Sequence, residues 1–259
     1  MNFPVSEKIE QINSFAFTLL KETQLMNQRR HIVEPLILNA EIKDELHSIM
    51  NNTYGANAYN HVIPLFIQDL VRDLSRLAFD TDKKTASLSN LHRKIKQDKV
   101  LEKIKENFIL TPNKFNNNDQ FLKDLPLETR ERLTENYRQQ NRKQFEKAFT
   151  ESWEHIDKFV CLIDENTTVE KLKTYRDKYY AHIEMTPLGQ TPEPFNLNNL
   201  GLKYDEVLRY LDEFIGIVYD LFRILTGVVY SPEDDNKIHK SNGTNMWRLL
   251  LNKKEIKGG

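Results

Sequence analysis

The chain has 259 residues, a length that suits one large domain or two small ones. It contains only 8 glycines and 9 prolines, which argues against sandwiches, barrels and propellers because those folds need frequent turns. Lysine and arginine total 37 and aspartate and glutamate 38, so the formal net charge is −1. This charge disfavours non-specific coating of nucleic acid and leaves a local basic groove as the alternative.

The sequence has no feature of a secretory or membrane protein. The N-terminus lacks the basic-then-apolar order of a secretory signal. The longest apolar stretch, residues 214–230, is interrupted by Asp220 and Arg223, so we predict a buried helix rather than a membrane span. The single cysteine, Cys161, excludes an internal disulfide and a multi-cysteine zinc site. We therefore expect a cytoplasmic protein.

The first half of the chain shows the apolar periodicity of helices. Residues 6–30 form the first predicted helix, with Ser6 as the N-cap and Pro35 breaking the pattern afterwards. A short helix is predicted around residues 40–51, and longer helices over residues 57–79 and 89–108. These patterns indicate long amphipathic helices joined by few loops.

The second half continues in the same way. Pro126 opens a predicted helix that runs to about residue 163. Its densely charged first half, residues 128–147, is either a solvated face or a ridge that binds phosphates. The capping-box spacing of Thr167 to Glu170 starts a helix that runs to about residue 184, before Pro187, and the most apolar helix covers residues 203–226.

No internal repeat and no strand alternation is visible, so we predict an all-α fold. We expect a bundle of about five main helices plus short ones. Residues 1–230 are assigned to a single helical domain. Residues 231–259 are polar and are predicted to form a loosely attached tail with one short helix around residues 247–251.

Several catalytic motifs are missing from the sequence. It contains neither a glycine-rich phosphate loop nor a Gly-x-Ser-x-Gly motif. None of the seven histidines has another histidine three to five residues away, so we expect no metal site and no cofactor. Cys161 lies in the apolar run of residues 159–163, which favours a small buried packing residue over a nucleophile.

One segment, residues 172–183, combines residue types that are suited to catalysis. It contains Arg176, followed by Asp177, and His182 six residues after the arginine. In a regular α-helix this separation corresponds to about 9 Å of rise and about 120° of rotation, so the two side chains do not share a face. By geometry alone, the arginine pairs with Asp177 and the histidine interacts with the helix dipole.

The residues around this pair resemble the signature of the HEPN family, an arginine and a histidine separated by four to six residues. Asp177 matches the small polar residue that often follows the arginine, and Ala181 precedes His182 as in the family. The segments of residues 69–74 and 87–91, together with Trp153, resemble the AbiU-type HEPN proteins of phage abortive infection. This likeness covers roughly residues 10–225.

The resemblance implies a helical-bundle ribonuclease that needs no metal and acts as a homodimer. His182 then acts as general acid or base, Arg176 binds the scissile phosphate, and Asp177 orients either side chain. Lys178 and Tyr179 are expected to bind substrate, and buried packing is the alternative for the tyrosine.

One departure from the family concerns regulation. Related toxins often carry a tyrosine two residues after the histidine, where an antitoxin attaches AMP, whereas this chain has Glu184. We therefore do not extend this control to the chain. The leading hypothesis is an endoribonuclease of an antiphage or toxin–antitoxin system, with RNA as substrate and an antitoxin or defence protein as a possible partner. The alternatives are a catalytically silent HEPN-like module that binds nucleic acid, nucleotide or protein, and a purely structural helical partner.

Overall fold

The computed structural model of the protein describes residues 3–51, 53, 55–97, 99–111, 126–181 and 200–252. Every regular element in these ranges is helical, which confirms the predicted all-α class. No helix in these ranges combines the length and the apolar character needed to cross a membrane. The helices are α1 (Val5–Leu38), α2 (Ala40–Met50), α3 (Gly55–Phe79), α4 (Leu88–Ile95), α5 (Val100–Ile109), α6 (Leu127–Cys161), α7 (Thr167–Tyr175), α8 (Tyr204–Thr226) and α9 (Pro232–Asn252), with a 3-10 turn at Ile163–Glu165 and a π-helical turn at Arg176–Ala181.

The chain divides into two compact units. The first contains Met1–Leu20, Thr81–Leu162 and Gly216–Tyr230, and the second contains Lys21–Asp80, Ile163–Ile215 and Ser231–Gly259. Helices α1 and α8 contribute residues to both units. The division of the sequence into one domain over residues 1–230 and a separate tail stays a prediction.

In the first unit, the single helix predicted over residues 89–108 consists of α4 and α5. Helix α4 begins after Ser87, whose side chain accepts a hydrogen bond from the backbone N–H of Asn90 at 3.2 Å. Ile95 of α4 and Val100 of α5 are both fully buried. They are five residues apart, about 140° around a continuous helix, so one unbroken helix would turn them toward different sides. The break allows both helices to bury their apolar faces.

Helices α4 and α6 are joined by an aromatic and polar contact around the buried His92. The ring of Trp153 stacks on the imidazole of His92, with 5.4 Å between ring centroids. Nε2 of His92 lies 2.7 Å from Oδ1 of Asp157, which also accepts a hydrogen bond from Nζ of Lys96 at 2.8 Å. Burial lowers the pKa of His92 below its usual value, because the imidazolium form loses its hydration. The stacking and the hydrogen bond together hold α4 against α6 within the first unit.

Cys161 lies in the last turn of α6 and is exposed, so the prediction of a buried packing residue is wrong. It follows the buried Phe159 by two residues, which corresponds to about 200° around the helix. The two side chains therefore point in nearly opposite directions. An apolar run of residues does not indicate which of its members face the core.

In the second unit, α1 continues to Leu38 through Pro35, well beyond the end predicted near residue 30. Proline has no N–H, so the carbonyl group of His31 lacks the donor that a helix supplies four residues later. Trp247 of α9 donates its Nε1–H to the carbonyl of Ile32 at 2.6 Å. Gly243 packs directly against the carbonyl of His31. Helix α9 thus covers the turn that contains the proline.

Helix α9 has 21 residues, whereas the sequence predicted only a short helix around residues 247–251. Leu251 is 5% exposed, and Trp247 packs against the same hydrophobic cluster, which includes Leu36, Ile42 and Leu46. Most other side chains of α9 are polar, so its apolar face is too narrow to stand out in the sequence.

Candidate functional site

Helix α7 carries the first residues of the candidate site. Oδ1 of Asn166 accepts hydrogen bonds from the backbone N–H groups of Thr168 and Val169, at 2.9 and 3.3 Å. The N-cap is therefore Asn166. The capping-box pattern predicted Thr167 in this role, which is wrong. Helix α7 belongs to the second unit, and the face that it turns to the interior of this unit carries the buried residues Val169, Leu172 and Tyr175.

Arg176 lies beside this buried stripe. Val169, Leu172 and Arg176 follow the spacing i, i+3, i+7, which places them on one face of a helix. The arginine side chain is 36% exposed. This position lets its aliphatic part pack while its charged group reaches solvent.

Residues Arg176–Ala181 form a π-helical turn, so the prediction of a regular α-helix through the motif is wrong. In a π-helix the hydrogen bond spans five residues, and each turn holds more residues than an α-helical turn. The rotation of about 120° calculated for an α-helix therefore does not describe this segment. The turn packs against α3. Single π-helical turns are rare, and they occur frequently at functional sites.

Within the turn, Nε of Arg176 donates a hydrogen bond to Oδ1 of Asp177 at 2.6 Å. Asp177 is exposed and Lys178 is half-buried. Tyr179 has its backbone in the turn, but its side chain is outside the described part of the structure, and His182 lies outside the described residues altogether. The structure therefore brings Arg176 and Asp177 together, and the arrangement of the arginine and the histidine stays a prediction.

The AbiU2 family model of HEPN proteins matches residues 13–242. The chain belongs to the AbiU2 family of HEPN proteins. The match includes the arginine–histidine segment, Trp153 and residues 69–74, so the resemblance identified in the sequence is confirmed. Membership makes the chain an abortive-infection-related HEPN protein with an all-α fold. No curated protein and no solved structure matches it significantly.

Two lysines of α7 form ion pairs in this AbiU2-family chain. Nζ of Lys171 lies 3.0 Å from Oε2 of Glu206, and Nζ of Lys173 lies 2.6 Å from Oδ1 of Asp164. The hydrogen bond from Lys171 lowers the pKa of Glu206 below its usual value, because it stabilises the carboxylate. These pairs connect α7 to the start of α8 and to the preceding turn, next to Arg176.

A second group of charged residues in the same unit was not predicted as a site. Glu22, Arg29, Arg72, Asp73 and Arg76 line a cavity of about 360 Å³, which we call the arginine cavity. A signal for it was present in the sequence, because α3 carries Asp69, Arg72, Asp73 and Arg76 at the spacing i, i+3, i+4, i+7. In the sequence, residues 69–74 indicated only the family resemblance.

The potential metal ligands within the described ranges are dispersed. There, no group of three or more histidine, cysteine, aspartate or glutamate side chains is arranged to hold a metal ion. His182 is not among these residues.

Proposed function

We propose that this AbiU2-family protein is an endoribonuclease that acts as a toxin in abortive infection or in a toxin–antitoxin system. The observation that supports the proposal most directly is the ion pair of Arg176 and Asp177 in the π-helical turn. Asp177 holds the arginine through Nε, and a guanidinium group can bind phosphate oxygens through its two terminal nitrogens. Arg176 is therefore suited to hold the scissile phosphate of an RNA strand in the cytoplasm.

The proposed reaction needs only acid–base groups and the substrate itself. His182 removes the proton from the ribose 2′-hydroxyl, and the 2′-oxygen attacks the adjacent phosphorus. The bond from phosphorus to the 5′-oxygen breaks, and a protonated histidine returns a proton to that leaving oxygen. The products end in a 2′,3′-cyclic phosphate and a 5′-hydroxyl. Arg176 stabilises the negative charge that grows on the phosphate oxygens during this step.

Three neighbouring residues support this reaction in the proposal. Asp177 is a positioning residue, because its carboxylate holds Nε of Arg176 and limits the rotation of the guanidinium. Lys178 supplies positive charge next to the bound strand. Tyr179 stacks on a base of the RNA.

We further propose that the active protein is a homodimer with one composite cleft. One arginine binds a phosphate from one side, whereas the transition state carries charge on several oxygens. A two-fold axis near the arginine–histidine segment places a second Arg176 and His182 in the same cleft. This arrangement concentrates positive charge in a chain whose net charge is −1. It accounts for RNA binding without a broadly basic surface.

Control of the toxin is proposed to involve a protein partner rather than AMP transfer. Glu184 occupies the position where related toxins carry the modified tyrosine. A glutamate side chain has no hydroxyl group to accept AMP. An antitoxin or another protein of the defence system is therefore proposed to act by binding.

The chemistry of cleavage provides the first test. We expect purified protein to cleave single-stranded RNA in the presence of a chelator and to leave 2′,3′-cyclic phosphate or 3′-phosphate ends. A substrate with a single 2′-deoxyribose at the cleaved position should be inert, because it lacks the attacking hydroxyl. Equal cleavage of DNA, or loss of all activity with the chelator, would refute this mechanism. RNA that is bound but never cleaved would instead identify a silent binding module.

The oligomeric state provides the second test. We expect analytical ultracentrifugation at micromolar concentration to show a dimer. Mixing an Arg176→Ala protein with a His182→Ala protein should restore part of the activity if each cleft combines residues of both subunits. An active protein that stays monomeric at the assay concentration would contradict the composite cleft.

A further inference from the structure

The arginine cavity has a buried carboxylate at its base and three arginines around it. The side chain of Asp73 is 4% exposed, whereas those of Arg29, Arg72 and Arg76 are 33%, 40% and 50% exposed. Nη2 of Arg29 donates to Asp73, Nε of Arg72 lies 3.3 Å from it, and Nη2 of Arg76 lies 3.7 Å from it. One carboxylate thus accepts hydrogen bonds from Arg29 and Arg72 and lies within ion-pair distance of Arg76. A ligand that approaches from solvent meets the guanidinium groups first.

Stability alone gives a weak explanation for this group. The spacing of residues 69, 72, 73 and 76 on α3 is the one that usually buries apolar side chains between helices. An ionised carboxylate with 4% exposure loses most of its hydration, and buried ion pairs are often no more stable than apolar residues in the same place. Asp69 adds a second carboxylate, 2.6 Å from Nη1 of Arg29. Two arginines suffice to neutralise two aspartates, so Arg76 is an additional cation that Glu22 balances.

Glu22 sits at the edge of the cavity and binds this additional cation. Its Oε2 accepts a hydrogen bond from Nη2 of Arg76 at 2.8 Å, and its side chain is 31% exposed. A single exposed pair of this kind contributes little to stability. A phosphate oxygen can therefore replace the carboxylate on Arg76 at small cost.

We propose that the arginine cavity binds a phosphate group of a single-stranded RNA, and that Glu22 leaves Arg76 when this phosphate binds. Charged hydrogen bonds from several arginines to one phosphate are the strongest that a protein surface offers to RNA. The cavity and Arg176 belong to the same unit, and the π-helical turn packs against α3, the helix that carries Arg72 and Arg76. The choice of RNA as ligand rests on the proposed function. The phosphate chemistry rests on the cavity alone.

Two substitutions with opposite expected effects test the proposal by fluorescence anisotropy with a labelled single-stranded RNA. Arg76→Gln should weaken binding about tenfold, as expected for the loss of one charged hydrogen bond. It should also reduce the slope of log K against log salt by about 0.7, the value for one phosphate contact on a single strand. Glu22→Gln should tighten binding severalfold, because the competing carboxylate is gone.

An exposed pair of α8 provides matched controls for the change in charge. Nη2 of Arg209 lies 3.7 Å from Oδ2 of Asp205, and the two side chains are 77% and 72% exposed. Arg209→Gln removes one positive charge, as Arg76→Gln does. Asp205→Asn removes one negative charge, as Glu22→Gln does. Both controls should alter RNA binding less than twofold, which is about the effect of one screened surface charge.

Further readouts separate this inference from the proposed function. Inorganic phosphate at constant ionic strength should compete with RNA for the unaltered protein and much less for Arg76→Gln. Thermal unfolding checks that Arg76→Gln is folded, which we expect because Arg29 and Arg72 still hold Asp73. Equal binding by Arg76→Gln and Arg209→Gln, or no tightening by Glu22→Gln, would overturn the inference. If RNA binding depends on Arg76 but the bound RNA is not cleaved, the proposed ribonuclease function is refuted. The assignment of the arginine cavity as a phosphate site is then still supported.

Discussion

Cells that express Arg176→Ala or His182→Ala are expected to grow normally and to keep their RNA intact, whereas the unaltered protein should arrest growth and degrade RNA. Loss of a general acid or base lowers a rate by about 10²–10⁴-fold. Loss of a charged group that stabilises the transition state has an effect of about 10²–10³-fold. Growth after induction and electrophoresis of total RNA measure both consequences in one culture.

Matched variants show whether such losses are specific. Arg209→Ala removes an exposed arginine of α8, and His155→Ala removes a histidine of α6 that is 52% exposed. Both controls should stay toxic. Arg176→Ala should stay folded in circular dichroism, because its side chain is partly exposed and alanine favours helices. Toxicity that persists in folded Arg176→Ala and His182→Ala proteins would refute the proposed function.

The second large effect is expected from Gly243→Ala, which should lower the free energy of unfolding by more than about 2 kcal/mol, an effect of overpacking. A Cβ atom at this position would overlap the carbonyl oxygen of His31 and lie 2.7 Å from its carbonyl carbon. Both obstacles are backbone atoms of α1, so no side-chain rotation relieves the overlap. Urea denaturation followed by tryptophan fluorescence is a suitable measurement, because Trp247 lies one helical turn from Gly243.

Gly216→Ala is the matched control for this substitution. Gly216 is also a helical glycine, in α8, and a Cβ there would have no neighbour within 4 Å. Alanine is the better helix former, so this variant should be more stable by up to about 1 kcal/mol. If Gly243→Ala is as stable as Gly216→Ala, α9 does not pack on α1 through Gly243 and the carbonyl of His31.

The part of the fold that was predictable from sequence is the part that depends on local periodicity. An apolar stripe at helical spacing identifies both the helix and the face that it buries, whatever the stripe packs against. The stripe predicted in α8 is buried in the structure, as shown by Phe214, Val218 and Leu221. The second half of the stripe predicted in α3 is buried as well, as shown by Leu70, Leu74 and Leu77, but Leu65 in its first half is 62% exposed, so that part of the prediction is wrong. The family was recognisable for a related reason, because the residues from Leu172 to His182 form a pattern within one short segment, and residues 69–74, residues 87–91 and Trp153 add further local patterns.

Local patterns predict the structure wrongly where a residue distant in the chain supplies the decisive contact. Pro35 is a helix breaker by local rules, yet α1 continues past it and Trp247 of α9 binds the adjacent carbonyl of Ile32. Residues 32 and 247 are 215 positions apart, so no sequence window contains both. For the same reason the length of α9 was not predictable, because most of its side chains are polar and its contact with α1 is not visible in the sequence.

In the candidate site, too, some features were predictable from the sequence and others depend on contacts between helices. The sequence by itself determined the all-α class, the AbiU2 family and the residue types of the motif, because each of these depends on composition or on spacing within short segments. Only the tertiary structure decided that Arg176 begins a π-helical turn, and that Arg29 of α1 meets Asp73 of α3 in the arginine cavity. The physical reason is that spacing determines which side chains share a face of a helix. Packing between helices determines which charges meet, and those contacts join residues far apart in the chain.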